Sequence, residues 1–193
     1  MPNPTVTSVV RSTSLRTLER FLAPIEPNQT YDLELAPFLR GPAMGRPDAD
    51  LGEAFHAALA SGIRGQWVEH AFYPYVRVIR DWLTDDGVTR FYSEWEFRYA
   101  RIPGKCDLLV RGGPNCRGVV EVKLVNHLPE SAPTDDACQL ALYVRDAADR
   151  YHDYHRFWGA IAYVAPSERT VRVFQWESME ESCRAAAKIL SAA

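Results

Sequence analysis

The sequence predicts an α/β fold in which α-helices flank a mixed β-sheet. Two apolar, β-branched runs stand on either side of a stretch rich in glycine, proline and asparagine, and this pattern predicts a β-hairpin. A stretch with apolar residues at helical spacing follows the hairpin, and two more apolar runs follow that helix. A strand meander, a crossover helix and returning strands together indicate a sandwich of helices around one sheet.

The first part of the chain, to about residue 87, is predicted to be mainly helical. The predicted elements are a helix over residues 12–22, an irregular proline-rich connector over 23–47, a helix over 50–62 and a helical stretch over 66–83. We expect Asp50 to cap the helix over 50–62, with Glu53 completing a capping box. Pro74 should kink or restart the stretch over 66–83, because proline lacks the backbone N–H that a helix interior requires.

The remainder, from about residue 88 to 193, is predicted to form the sheet core. Predicted strands cover residues 90–99, 104–110, 118–125, 157–165 and 170–176, and predicted helices cover 134–150 and 177–193. The helix over 134–150 has an apolar stripe made of Ala137, Leu140, Ala141, Val144, Ala147 and Ala148. We expect this stripe to pack against the sheet as the helix crosses between two strands.

Length and composition favour one domain spanning residues 1–193. A chain of 193 residues with 47% hydrophobic content can bury a substantial core. We expect a cytoplasmic protein that does not associate with membranes, because the sequence has no charged-then-apolar leader and no apolar run of membrane-spanning length. The formal net charge of −3 argues against a broad, nonspecific nucleic-acid surface, so nucleic-acid binding would depend on local cations.

The predicted hairpin carries residues suited to metal-assisted cleavage of a phosphodiester. Along its second strand Glu121 and Lys123 should emerge on one face, while Val120, Val122 and Leu124 face a core. Asp107 is expected at the start of the partner strand, where its carboxylate meets that of Glu121 around a common ion. Mg²⁺ prefers such oxygen ligands, and the backbone carbonyl of Val122 could add another. Lys123 could orient or deprotonate the attacking water. The alternative is an ordinary solvated strand face.

Two helices offer further candidates. His56 lies at the edge of the apolar stripe of the predicted helix over 50–62, from which it could point a nitrogen into a site between helix and sheet. The alternative is a structural histidine. Gln139 and Tyr143 are four residues apart on the helix over 134–150, so they share a face away from the apolar stripe, and the alternative for them is a solvent face.

Four motifs taken together resemble those of the PD-(D/E)XK nuclease superfamily, within its RecB-like branch, which also contains CRISPR adaptation nucleases and many phage exonucleases. In chain order the motifs are Gly52-x-x-x-His56, Gly104-x-x-Asp107, Glu121-Val122-Lys123 and Gln139-x-x-x-Tyr143. The match spans the chain from about His56 to Tyr143. Cys106 stands where the superfamily's name has proline.

The resemblance implies a restriction-endonuclease-like core and a deoxyribonuclease that depends on Mg²⁺ or Mn²⁺. His56, Asp107 and Glu121 would be the metal ligands, Lys123 the catalytic lysine, and Gln139 and Tyr143 would orient that lysine or contact the nucleic acid. The implied substrate is DNA, single-stranded or with free ends, cut by an exonuclease in repair, recombination or phage DNA processing, with a helicase or recombinase as a possible partner. A catalytically silent binding or assembly subunit with the same fold, and an RNA nuclease, remain alternatives.

Cysteine positions and cations complete the expectations. We expect no iron-sulfur cluster, because the four cysteines show neither the N-terminal cysteine nor the C-terminal group of the cluster-containing members, and no zinc, because no Cys-x-x-Cys pair is present. The candidate cations for nucleic-acid binding are Arg98, Arg101, Lys105, Arg111 and Arg117 near the hairpin and Arg11, Arg16 and Arg20 in the first helix. A solvated surface is the alternative for all of them.

Overall fold

A computed structural model describes residues 27–35, 44–99, 102–113, 116–152, 154 and 156–177. Over these residues the chain forms three helices and six strands. The helices are α1 (Ala49–Ile63), α2 (Tyr73–Asp85) and α3 (Thr134–Arg150). The strands are β1 (Gln29–Glu34), β2 (Val88–Tyr99), β3 (Ile102–Gly112), β4 (Cys116–Leu124), β5 (Arg156–Ala165) and β6 (Thr170–Trp176).

The six strands form one mixed sheet in the order β1-β6-β5-β4-β3-β2. Every neighbouring pair is antiparallel except β4 and β5, which are parallel. Parallel neighbours need a crossover connection, and α3 supplies it between them. The prediction of an α/β fold with a mixed sheet flanked by helices is therefore confirmed.

Helices cover both faces of the sheet. On one face, called the α1–α2 face, the strands pack against α1 and α2 through residues such as Phe55, Ile79, Val120 and Val122. On the other, called the α3 face, they pack against α3 through residues such as Leu140, Val119 and Ile161. Apolar residues therefore lie on both sides of β4, and its polar side chains are enclosed under a helix.

The predicted irregular connector over 23–47 is wrong in part, because it contains β1. This short edge strand pairs with β6, and the Asp32 carboxylate accepts a 2.6 Å hydrogen bond from Nε of Arg172. Tyr31 and Leu33 both pack against the core, as alternate residues of a strand do. This alternation is too short and too close to prolines to predict a strand from the sequence. The predicted helices over 12–22 and 177–193 lie outside the described residues, apart from Glu177.

The two helices before the sheet differ from their predictions at their starts. Asp48 caps α1, since its carboxylate accepts from the N–H of Leu51 at 2.8 Å, so the prediction of an Asp50 cap with a Glu53 box is wrong. Residues 64–72 are not helical, and α2 begins at Tyr73 with Pro74 in its first turn. Proline is favoured there because the first turn leaves its N–H groups unpaired in any case.

From β2 to β6 the predicted elements agree with the structure. The β3–β4 hairpin is present, α3 has the predicted bounds, and β5 and β6 lie within a residue of theirs. No helix among the described residues is long and apolar enough to cross a membrane.

Candidate active site

The candidate site lies where β3 and β4 part. Their ladder runs from the turn as far as the pair Leu108–Val120 and then ends. Beyond it, the carboxylate of Asp107 replaces the backbone partner and accepts the N–H of Val122 at 2.7 Å. Asp107 therefore lies in the middle of β3, and the prediction that it starts the strand is wrong. We call the place beside Asp107 and Glu121, where backbone pairing between β3 and β4 has ended, the gap.

Strand β2 changes face at the same level of the sheet. Phe91 packs on the α1–α2 face, whereas Trp95 packs on the α3 face, although regular alternation would put both on one face. Between them Glu94 has a φ of 54°, which supplies the irregular step. The partner strand does the same, since Cys106 lies on the α3 face and Leu108 on the other. Asp107 is thus positioned between the two faces.

His56 reaches this gap from α1. Its Nδ1 lies 2.7 Å from Oδ1 of Asp107, which is close enough for an ion pair when the imidazole is protonated. The nearby Asp107 carboxylate raises the pKa of His56, against the opposing effect of burial. The structure therefore brings His56 to Asp107, as the position at the edge of the α1 stripe predicted. Gly52 of the same motif has open space around it among the described residues, so packing there does not require a glycine.

Glu121 is the most deeply buried carboxylate of the site, with 7% of its surface exposed. Within the described part of the chain its Oε2 has no hydrogen-bond partner. Burial raises the pKa of Glu121 to about 8, and the charge of Asp107 adds to the rise, while Lys123 and His56 oppose it. A buried acid with one unpaired oxygen is costly to ionise in the absence of a positive partner.

Lys123 meets three oxygens from two elements. Its Nζ donates to Oε1 of Gln139 at 3.0 Å and lies 3.2 Å from Oδ1 of Asp136 and 3.6 Å from Oε1 of Glu121. Gln139 in turn donates from Nε2 to the hydroxyl of Tyr143 at 2.7 Å. Tyr143 is 3% exposed, so a solvent face for the Gln139 side of α3 is ruled out. That side turns toward the sheet and holds the lysine.

Asp136 and Tyr163 belong to this network, although the sequence did not single them out as site residues. Oδ1 of Asp136 forms an ion pair with Lys123, and Oδ2 accepts a 2.7 Å hydrogen bond from the hydroxyl of Tyr163. Burial, with the charge of Asp136, raises the pKa of Tyr163. The signal for Asp136 was its spacing: it precedes Gln139 by three residues and so shares its helix face. Tyr163 comes from β5 and carries no local signal.

A second layer fixes Tyr143. Its ring meets that of Phe97 edge-on, with centroids 4.5 Å apart and planes at 76°. The Phe97 ring lies directly over Gly104, where an added Cβ would be 1.8 Å from a ring carbon. Gly104 is therefore a glycine because an aromatic ring occupies the place of its side chain. Cys106 is fully buried in the same cluster as Phe97 and Tyr143. Burial raises the pKa of its thiol, so Cys106 acts as a packing residue.

Two features of this geometry bear on metal binding. The described residues contain no group of three or more His, Cys, Asp or Glu side chains that forms a ready cage for a metal ion. Oε2 of Glu121 nevertheless has no hydrogen-bond partner among the described residues, and His56 and Asp107 lie in contact nearby. Carboxylates and an imidazole are donor types that divalent cations such as Mg²⁺ or Mn²⁺ accept.

Three of the predicted nucleic-acid-binding cations have local partners. The guanidinium of Arg111 lies 5.6 Å from the centroid of the Tyr154 ring. Lys105 forms a 2.6 Å ion pair with Glu94 beside the site. The guanidinium of Arg117 is buried between two rings, 3.7 Å from the centroid of Tyr151 and 4.3 Å from that of Tyr154. Arg117 therefore stabilises the end of the sheet and is inaccessible to a ligand. The side chains of Arg98 and Arg101 and the three N-terminal arginines lie outside the described ones.

Comparisons with known proteins do not identify a family for the chain. No protein-family model matches it, and no curated protein matches it. The crystal structure of a protein named SSO0001 is similar, with 13% sequence identity, a TM-score of 0.34, and coverage of 98% of this chain and 87% of that one. A likeness at this TM-score bears on neither fold nor function. Interpretation of the site therefore depends on its own geometry.

Proposed function

We propose that this protein is a metal-dependent nuclease that hydrolyses DNA phosphodiester bonds. One observation carries the proposal: residues distant in sequence, on α1, β3 and β4, place two carboxylates, a histidine and a lysine around one gap in the sheet. Nδ1 of His56 lies 2.7 Å from Oδ1 of Asp107, and Nζ of Lys123 lies 3.6 Å from Oε1 of Glu121. The PD-(D/E)XK resemblance of the four motifs supports the same activity and a restriction-endonuclease-like core.

The proposed metal ligands are two carboxylates, an imidazole and a backbone carbonyl. His56, Asp107, Glu121 and the carbonyl of Val122 would hold Mg²⁺ or Mn²⁺, which when bound supplies Lewis-acid activation of the scissile phosphate and its attacking water. The hydrogen bond from the N–H of Val122 orients the Asp107 carboxylate and fixes the backbone at residue 122 against it. The buried position of Glu121 excludes bulk water from that side of the site, which strengthens its attraction for a cation.

Lys123 has the role of a hydrogen-bond donor. Its ammonium lies among three oxygens, so in the proposed mechanism it orients the attacking water and offsets charge that develops on the phosphoryl oxygens. Asp136 and Gln139 hold it in place, and both are fixed in turn by tyrosine hydroxyls. This arrangement assigns Asp136 a positioning role, because it touches the lysine and not the reacting phosphate.

The decisive experiment is degradation of end-labelled single- and double-stranded DNA with Mg²⁺, Mn²⁺ or EDTA. We expect loss of label that depends on metal and disappears in Glu121→Gln. A matched control is Glu168→Gln, because Glu168 is an exposed acid that bonds the N–H of Leu128 away from the site. That variant should cleave like wild type.

The other outcomes identify the alternatives. Well-folded wild-type protein that cleaves nothing, with or without metal, would favour a binding or assembly subunit. Cleavage of single-stranded RNA with DNA left intact would favour an RNA nuclease. The position of the label at which degradation begins separates an exonuclease, which is our expectation, from an enzyme that cuts internally.

A further inference from the structure

A groove lies between α1 and α2 on the side of the sheet opposite α3. It encloses about 500 Å³ and its walls include Gly62, Gln66, Val68, Tyr73, Arg77 and Arg80. The floor is tightly packed, since a Cβ on Gly62 would come within 2.4 Å of Val76. The groove is thus a built feature of the helix pair, in which the glycine lets the two helices approach.

The most exposed large hydrophobic side chain of the described residues lies in the chain between two residues that line this groove, Gln66 and Val68. Trp67 is 82% exposed, in the loop that joins α1 to α2. Its neighbour Val68 and Phe72 at the end of the loop are buried, so the loop is anchored while the indole remains in solvent. Tyr73, 41% exposed, lines the same groove. One exposed aromatic ring thus lines the groove, and a second belongs to the loop that borders it, whereas a single exposed ring would call for no explanation.

The groove also carries positive charge. Arg80 is exposed, and its described contact is a 3.5 Å hydrogen bond to the carbonyl of Gly62. Arg77 is exposed too, with Asp81 3.3 Å away as its partner. Arg64, at the end of α1, lies 3.9 Å from Glu94. Guanidiniums beside exposed aromatic rings are the combination that binds single-stranded nucleic acid, with phosphates on the cations and bases on the rings.

The groove is close to the candidate active site. Gly62 and His56 are six residues apart on α1, which places them about 9 Å apart along the helix axis. Arg64 and Glu94 connect the two regions, because Glu94 also pairs with Lys105 and lies one residue before Trp95, which pairs with Cys106 beside Asp107. Stacked nucleotides rise about 3.4 Å each, so two or three of them would span the distance.

We propose that the α1–α2 groove binds a single DNA strand two to three nucleotides from the bond that is cleaved. Trp67 stacks on a base, Tyr73 extends the stacking surface, and Arg80 and Arg77 contact phosphates. The identity of the ligand rests on the proposed nuclease function, but binding itself requires neither metal nor cleavage. The groove would therefore select substrates whose strand is already unpaired, because a base in a duplex cannot present its face to Trp67.

The test is binding of a fluorescently labelled oligothymidylate of about 12 nucleotides, and of a duplex of equal length, in EDTA. Trp67→Ala should weaken single-strand binding on the order of 10-fold, and Trp67→Phe should retain most of the affinity. Arg80→Gln should reduce the slope of log affinity against log salt by about 0.7. Tyr92→Ala is the matched control, because Tyr92 is 42% exposed but pairs with Leu109, which packs on the α3 face.

Two results would overturn the inference: wild-type protein that does not bind the single strand in EDTA, or Trp67→Ala that binds it as tightly as Tyr92→Ala does. Circular dichroism of each variant excludes misfolding as the cause of lost binding. Failure of this inference is distinguishable from failure of the nuclease proposal. Metal-dependent cleavage with an unchanged KM in Trp67→Ala leaves the nuclease and removes the groove, whereas Trp67-dependent binding without cleavage does the reverse.

Discussion

Replacing Glu121 by glutamine should stabilise the metal-free protein, and the gain should depend on pH. Burial raises the pKa of Glu121 from its ordinary value of 4.5 to about 8. Between these pH values the folded protein keeps a proton on Glu121 that the unfolded chain has released. The free energy of unfolding therefore falls as pH rises from 4.5 to about 8, stays lowered above that range, and has no such contribution below 4.5. Glutamine cannot ionise, so Glu121→Gln removes this loss.

The size of the effect follows from the same interval. At about 1.36 kcal/mol per pH unit, a pKa rise from 4.5 to about 8 corresponds to an upper limit of about 5 kcal/mol. Relaxation of the buried site in the ionised protein reduces this limit, so we expect a gain of about 2–4 kcal/mol at pH 9 and little or none at pH 4. A gain of this size would be a large fraction of the total stability of a domain.

The difference in the free energy of unfolding between wild type and Glu121→Gln can be measured by urea unfolding followed by tryptophan fluorescence, because the chain contains five tryptophans. The series covers the range from pH 4 to pH 9, in EDTA, for wild type and Glu121→Gln. A stability difference that is the same at both ends of the range, or that favours wild type at pH 9, would refute the reasoning. The measurement at pH 9 is then repeated with Mg²⁺. Because a bound ligand stabilises the folded state, Mg²⁺ should raise the free energy of unfolding of wild type more than that of the variant.

Four further variants test the site and its supporting network. Asp136→Asn should lower the cleavage rate about 10- to 100-fold with the metal dependence unchanged, because it loosens Lys123, and Tyr163→Phe should cost less; kcat measured across Mg²⁺ concentrations checks both. Lys123→Ala should abolish cleavage while calorimetry still detects metal binding, and full activity would exclude the proposed role. Gly104→Ala should lower the free energy of unfolding by about 1–3 kcal/mol, since a Cβ there displaces the ring of Phe97, and urea unfolding should detect it.

The elements that could be predicted are those with strong local periodicity. Helix α3 has an apolar stripe along its whole length, and the β3–β4 hairpin has two apolar runs with turn formers between them, so both agree with the structure. Strand β1 could not be predicted, because it is short, lies at the edge of the sheet, and owes its strand form to pairing with β6. Pairing between residues about 140 positions apart leaves no local pattern in the sequence.

The site shows the same division. The alternation of Glu121 and Lys123 on one strand and the helical spacing of Gln139 and Tyr143 were enough to group them. Their burial was not predictable, because polar side chains suggest a face exposed to solvent. Only the packing of α3 over β4 in the folded protein encloses them. Asp136 was missed for a related reason: an acid in the first turn of a helix is explained by the helix dipole alone, so the face that it shares with Gln139 was not enough to single it out.

The irregular step in the sheet explains how residues from both sides can share one site. In an unbroken sheet the side chain of Lys123, on the α3 face, would be separated from α1 by the strands themselves. Here β3 leaves β4 after Leu108, and β2 changes face at Glu94, so the carboxylate of Asp107 is accessible to His56 from α1 while it bonds the backbone of β4. The break removes hydrogen bonds from the ladder, and the Asp107 carboxylate restores one of them.

An alanine at 107 would remove a candidate ligand and also leave the N–H of Val122 without its described partner. Loss of activity in that variant would therefore not by itself assign Asp107 a metal-binding role. Asparagine, which keeps an oxygen for that N–H and removes the charge, separates the two roles.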